Sequence, residues 1–192
     1  MAMAMADADG LPALSMRALA GALGSTAGSL YRYLSSRDDL LVLMVDAALA
    51  ELRLGQTSVG SCLDDLIALA NQQLTLYRRH PWLISASTRG GTFGPNATDY
   101  FEDCLRIMVP LSCSTARKLE AVAMMTGVVS LFARPAATAA ADDPPNPFAA
   151  ASPERHPHLT AALGEAAPIA VPEDLFERTV RSLLSGLLAN SG

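Results

Sequence analysis

The sequence predicts an all-α fold, and three observations carry that expectation. Alanine and leucine abound while aromatic residues make up only 5%, a balance that favours helices over strands. Apolar residues recur three and four apart along most of the chain, and no sustained two-residue alternation appears. Helix punctuation is frequent, with Ser, Thr or Pro at expected starts and Gly or Pro at stops. With 51% hydrophobic and 17% charged residues in a length of 192, the chain can bury one or two small cores and is not of disordered type.

In chain order, residues 4–9 read as the end of a first helix stopped at Gly10, with Leu11, Pro12 and Leu14 leading onward. So short a helix depends on packing against Leu14, Leu40 and Met44. Residues 15–37 then read as two short helices and a tight turn. Ser15 is an N-cap, because its hydroxyl can accept a free backbone N–H. Leu19 and Leu23 share one face, Ala20 lets a second helix approach, and Gly24 stops the helix. Thr26 starts the second helix, whose buried side holds Leu30 and Leu34. Ala27, Gly28, Ser29, Tyr31, Arg32 and Tyr33 are left facing outward. That face is small at one end and carries hydroxyls and an arginine at the other, which suits base edges and phosphates in a DNA major groove. Ser36 caps the next helix, with Asp38 and Asp39 in its first turn. Its stripe of Leu40, Leu41, Met44, Val45, Ala48, Leu49 and Leu52 carries it to about residue 54, and 55–60 form a loop.

Residues 62–80 form a long amphipathic helix through Leu63, Leu66, Ile67, Ala70, Leu74 and Tyr77. It ends at His80, because the residue before a proline avoids the α region. Pro81 opens a short helix with Trp82. Residues 89–96 are a glycine-rich loop, but the spacing and lysine of a phosphate-binding loop are missing and no strand precedes it. Helix 95–111 puts Tyr100, Phe101, Cys104, Leu105 and Met108 on one face. Helix 115–134 becomes apolar almost all round, so both its sides should be covered. Residues 135–153, rich in Ala, Pro and Asp, read as a long loop. Residues 154–164 hold a short helix, and Pro172 opens the last one, with a stripe from Leu175 to Leu188.

The net charge of −5 argues against a protein that coats nucleic acid by bulk charge. Locally the sign reverses: residues 15–37 hold Arg17, Arg32 and Arg37 and no acid. Cys62, Cys104 and Cys113 are scattered and odd in number, which favours reduced thiols over a disulfide framework. The longest apolar run, 121–133, is too short to span a bilayer, and the start lacks the form of a secretory signal. The expected location is the cytoplasm. His80, His156 and His158 have no zinc spacing and no nucleophile motif is present. No catalytic residue, cofactor or metal site is expected.

The residues Met16-Arg17-x-Leu19-Ala20-x-x-Leu23-Gly24, Gly28-Ser29-Leu30-Tyr31-Arg32-Tyr33-Leu34 and Ser36-Arg37-Asp38-Asp39-Leu40-Leu41 resemble the helix-turn-helix of the TetR/AcrR family of transcriptional regulators. The motif covers about the first quarter of the chain; the rest resembles the family in length and helical pattern. The resemblance implies a three-helix DNA-binding head (1–37), a linking helix (38–54) and a ligand-binding and dimerisation body (55–192). It implies DNA contacts from Arg17, Ser29, Tyr31, Tyr33 and Arg37, with Ala27 and Gly28 allowing close approach. Tyr31 and Arg37 would hold phosphates, Arg17 and Ser29 base edges, and Arg32 either. Tyr33 has partial core packing as its other reading. In that family a longer first helix precedes the motif, so either the start is misplaced or this head is trimmed.

For the body, Tyr77, His80, Trp82, Phe93, Asn96, Tyr100, Phe101, Cys104, Met108, Met124 and Met125 would converge in a helical bundle, the usual setting of a mostly apolar small-molecule site. Residue by residue, plain core is the stronger reading. The last two long helices would pair with those of a two-fold mate through Val122, Val129, Phe132, Phe176, Val180, Leu183, Leu184 and Leu187. The expected function is a homodimeric, ligand-responsive repressor on a palindromic DNA operator. A helical ligand-binding dimer with weakened DNA binding, and an all-helical enzyme, are the alternatives.

Overall fold

The structure, a computed structural model, describes residues 1–52, 60–86, 93–134, 148–165 and 174–189. Residues 55–59 of the loop read over 55–60, the first half of the glycine-rich loop of 89–96, most of the loop over 135–153 and the start of the last helix at Pro172 lie outside them. The chain divides into two compact units, Met1–Arg134 with Phe176–Gly192, and Pro135–Leu175. All regular structure among the described residues is helical.

In the larger unit, α1 spans Ala2–Ala13 with a break at Gly10, whose φ of 76° is one that side chains resist. Helix α2, Met16–Ala22, starts where the Ser15 hydroxyl accepts the Ala18 N–H at 3.1 Å. Gly24, with φ at 64°, turns the chain. Helix α3 is only Ala27–Leu30, capped by the Thr26 side chain. Leu23, expected on the same face as the buried Leu19, is 49% exposed, and α2 ends one residue before it.

Helix α4 spans Arg37–Leu49 and opens with a reciprocal box: Ser36 accepts the Asp39 N–H, and the Asp39 carboxylate accepts the Ser36 N–H. It stops five residues short of the sequence reading. The body adds α5 (Cys62–Arg79), α6 (Trp82–Ala86), α7 (Pro95–Ile107) and α8 (Thr115–Ala133). In the smaller unit, α9 spans Pro157–Glu165, and the His156 carbonyl ahead of it accepts the Thr160 hydroxyl. Helix α10 is Leu175–Leu188. One apolar cluster runs unbroken from Ala6 and Leu11 through Leu40 and Met44 to Leu69, Leu83, Met125, Val180 and Leu184.

The residues expected in a dimer seam pack wholly or partly within the single chain. Val122, Val129, Phe176, Val180 and Leu184 are buried within the single chain. Phe132, Leu183 and Leu187 are partly buried, and the Phe132 ring meets Phe176 edge-on at 5.3 Å. These side chains hold α8 and α10 in their own core. The far side of α8 stays open, with Met124 at 48% and Leu131 at 63% exposed, so a single chain covers one side of α8 rather than both.

Removing the α4 cap by Ser36→Ala is expected to cost about 1 kcal/mol. Urea unfolding should show a lower midpoint with an unchanged slope.

Candidate DNA-reading head and body cavity

Around α3 the structure leaves a small polar surface. Arg17, Gly28, Tyr31, Arg32 and Tyr33 are exposed, and Ala27 and Ser29 are half-buried. Tyr33 is 84% exposed, which removes core packing as its role. The Ser29 hydroxyl donates to the Thr26 carbonyl at 2.8 Å and lies 2.6 Å from the Ser25 hydroxyl. Reaching a base edge would require it to exchange those bonds.

Arg37, expected to hold a phosphate, is half-buried and bonded within the chain. Its Nε donates to the Leu14 carbonyl at 3.1 Å and its Nη2 to the Leu11 carbonyl at 2.7 Å. The guanidinium therefore ties the start of α4 to the end of α1, bonding the Leu14 carbonyl and sharing the Leu11 carbonyl with the Leu14 N–H. These two bonds help hold the head together.

His80 and Trp82, expected in the ligand site, belong to a junction between head and body. The Trp82 Nε1–H donates to Asp7 of α1 at 2.7 Å, and His80 Nδ1 stands 2.7 Å from the same carboxylate oxygen. His80 Nε2 faces Glu51 at 3.3 Å, and Arg79 pairs with Glu51 at 2.7 Å. A buried imidazole thus bridges carboxylates from α1 and from the chain just after α4. Sequence spacing gave no sign of it.

The body holds a cavity of about 500 Å³, within the usual range for small-molecule sites. Of the expected residues, Tyr77, Phe93, Tyr100 and Phe101 line it. Asn96, Cys104, Met108 and Met125 do not line it, and Met124 points to the surface. Cys104, Met108 and Met125 are core, with no measurable exposure. The wall that sequence reasoning missed is α4, which contributes Leu41, Val42, Val45, Asp46 and Leu49. Its stripe reads as ordinary core, because a side chain against a cavity and one against another side chain are equally apolar.

A polar strip crosses the wall. Tyr100 donates its hydroxyl to Gln73 Oε1 at 3.4 Å, and Gln73 Nε2 donates to Thr126 at 3.3 Å. Burial pushes the Tyr100 phenol well above its usual range and the nearby Cys104 thiol up to about 12. Opposite stands Asp46, 7% exposed. It accepts the Asn96 Nδ2–H at 2.8 Å and the Ala97 backbone N–H at 3.0 Å. The N-cap of α7 is Gly94, which has no side chain to cap with, so Asp46 caps α7 from another helix. A Cβ on Gly94 would overlap the Asp46 carboxyl.

An exposed helix-turn-helix face is thus joined through α4 to a set of helices around a cavity. Comparison with known proteins shows the family to which this architecture belongs. Residues 1–44 match the model for bacterial regulatory proteins of the tetR family, and residues 54–191 match the tetracyclin repressor-like C-terminal domain. The chain belongs to the TetR family. It is similar to the HTH-type transcriptional repressor DrrR1 of Streptomyces coeruleorubidus, at 36% identity over 137 residues, 69% of this chain and 50% of that protein. It is also similar to an HTH-type transcriptional regulator of Saccharopolyspora erythraea, at 40% identity over 96 residues, 50% of this chain and 41% of the relative. The matches thus span half or less of these relatives' lengths. Among solved structures, the Streptomyces coelicolor TetR family protein ActR in complex with (S)-DNPA shares the fold, with a TM-score of 0.78 at 23% identity, covering 100% of this chain and 95% of that one.

Two outcomes test this geometry. Gly94→Ala forces the Asp46 carboxyl off α7 and is expected to cost about 1–3 kcal/mol in thermal unfolding. In the native protein near pH 8, a thiol reagent should modify the half-exposed Cys62 and Cys113 and spare Cys104 until the chain unfolds, because its thiolate forms only near pH 12.

Proposed function

We propose that this chain is a homodimeric transcriptional repressor that leaves its operator when a small, largely apolar ligand fills the body cavity. The observation that carries the reading is the double position of α4. Its first residue, Arg37, is bonded into the head, and its middle and end form one wall of the cavity. A ligand that fits better with α4 displaced lowers the population of the DNA-binding arrangement. Differential affinity for the two arrangements does this, and tight binding alone does not.

On DNA, Tyr31, Tyr33, Arg17 and Arg32 make the contacts, over a close approach at Ala27 and Gly28. A two-fold mate sets a second head about 34–36 Å away, one turn along the duplex. The mate covers the open side of α8 at Met124 and Leu131, together with the small exposed residues Ser182, Ser185 and Gly186 of α10. In this reading residues 1–37 act as head, 38–54 as link and 55–192 as body, the protein works in the cytoplasm, and it performs no catalysis. The repressor named among its relatives supports the regulatory sign.

A gel shift on the DNA upstream of the protein's own gene, run across a salt series, is the test. Tyr31→Ala should weaken binding about tenfold and leave the salt slope nearly unchanged, because the phenol carries no charge and releases no counterion, with the dimer unchanged in sedimentation. Leu131→Asp should yield monomers. Absence of any salt-sensitive binding by the unaltered protein at low salt overturns the repressor reading.

A further inference from the structure

We propose that the body cavity selects uncharged or cationic amphiphilic aromatics and rejects anionic ones, with Asp46 as the residue that sets this preference. The inference rests on the cavity being the ligand site. Asp46 is buried in the cavity wall, and both of its hydrogen-bond donors, the Asn96 amide and the Ala97 backbone N–H, are neutral. The N-terminus of α7 offsets its charge by only about half a unit. Among the described lining residues there is no Lys, Arg or His.

The surrounding walls, with Leu41, Val45 and Leu49 on one side and Val122 on another, keep the local dielectric low. An anion entering there gives up its hydration, meets the Asp46 field at close range and gains no cationic partner. A ligand N–H or ammonium, by contrast, finds acceptor capacity, since each carboxylate oxygen can accept two bonds and, among the described residues, each accepts one. Phe93, Tyr100 and Phe101 supply ring faces; the Phe93 and Phe101 centroids are 5.0 Å apart. The favoured ligand is therefore an aromatic body that presents a donor on the α4 side.

The test uses two dyes with one skeleton, N-phenyl-1-naphthylamine and its sulfonate, 1-anilinonaphthalene-8-sulfonate, titrated by fluorescence against the full chain. The sulfonate should bind at least about tenfold more weakly. Asp46→Asn should bring the two dyes within about threefold. Leu49→Lys places a cation one turn along the same face of α4 and should do the same without touching the α7 cap. Affinities within threefold of each other in the unaltered protein, or a gap unchanged in both variants, overturn the assignment to Asp46. No binding of the neutral dye, or binding indifferent to a cavity-filling Ala123→Trp, overturns the cavity as the ligand site. The two failures are thus told apart.

Discussion

The position of α4 depends on a carboxylate set against the start of another helix. Asp46 reaches across to α7, whose own N-cap residue is a glycine, and supplies the acceptor that the Ala97 N–H needs. This fixes the spacing of α4 and α7, and the cavity lies in that space. The head inherits the same constraint, because Arg37 at the other end of α4 bonds to the two carbonyls that close α1. A second link, Asp7 with Trp82 and His80, joins α1 to the body without passing through α4. Two polar connections and one continuous apolar core therefore hold head and body together.

The polar connections differ in kind from the core. Apolar contacts slide with little penalty, whereas a buried acceptor that loses its donors costs about 1–3 kcal/mol. When α4 shifts by an ångström or two, the Asp46 carboxylate and the Ala97 N–H both lose their partner. That cost makes displaced positions of α4 unfavourable unless another interaction offsets it. In the proposed mechanism the offset is the burial of a ligand in the cavity of about 500 Å³.

Local signals were legible in the sequence. Ser15, Thr26 and Ser36 cap the helices they were expected to cap, and Gly24 makes its turn, because each depends on residues at most four positions away. The aromatic side of the cavity was also visible, through Tyr77, Phe93 and Tyr100. The polar joints were not. Arg37 meets Leu11 at a separation of 26 residues, Asp46 meets Ala97 at 51, and His80 meets Asp7 at 73. No spacing rule encodes such pairs, so Arg37 read as a phosphate contact and His80 as a cavity residue. The leucine stripe of α10 is ambiguous for another reason. Apolar periodicity reports that a face is buried, and it is silent on whether the same chain or a second copy buries it.

The close contact between Gly94 and Asp46 also bears on how this body can change over generations. With no room for a Cβ at one position while the carboxyl occupies the other, neither site can drift alone. A larger residue at 94 becomes acceptable only after 46 has shrunk, and a shrunken 46 leaves α7 uncapped until 94 gains a Ser, Thr or Asp of its own. The order of substitution is thereby fixed, and the route between the two capping schemes runs through a weakened intermediate. Descendants of this chain with altered ligand range are most accessible through the ring-bearing side of the cavity, where Phe93 and Phe101 can change one at a time.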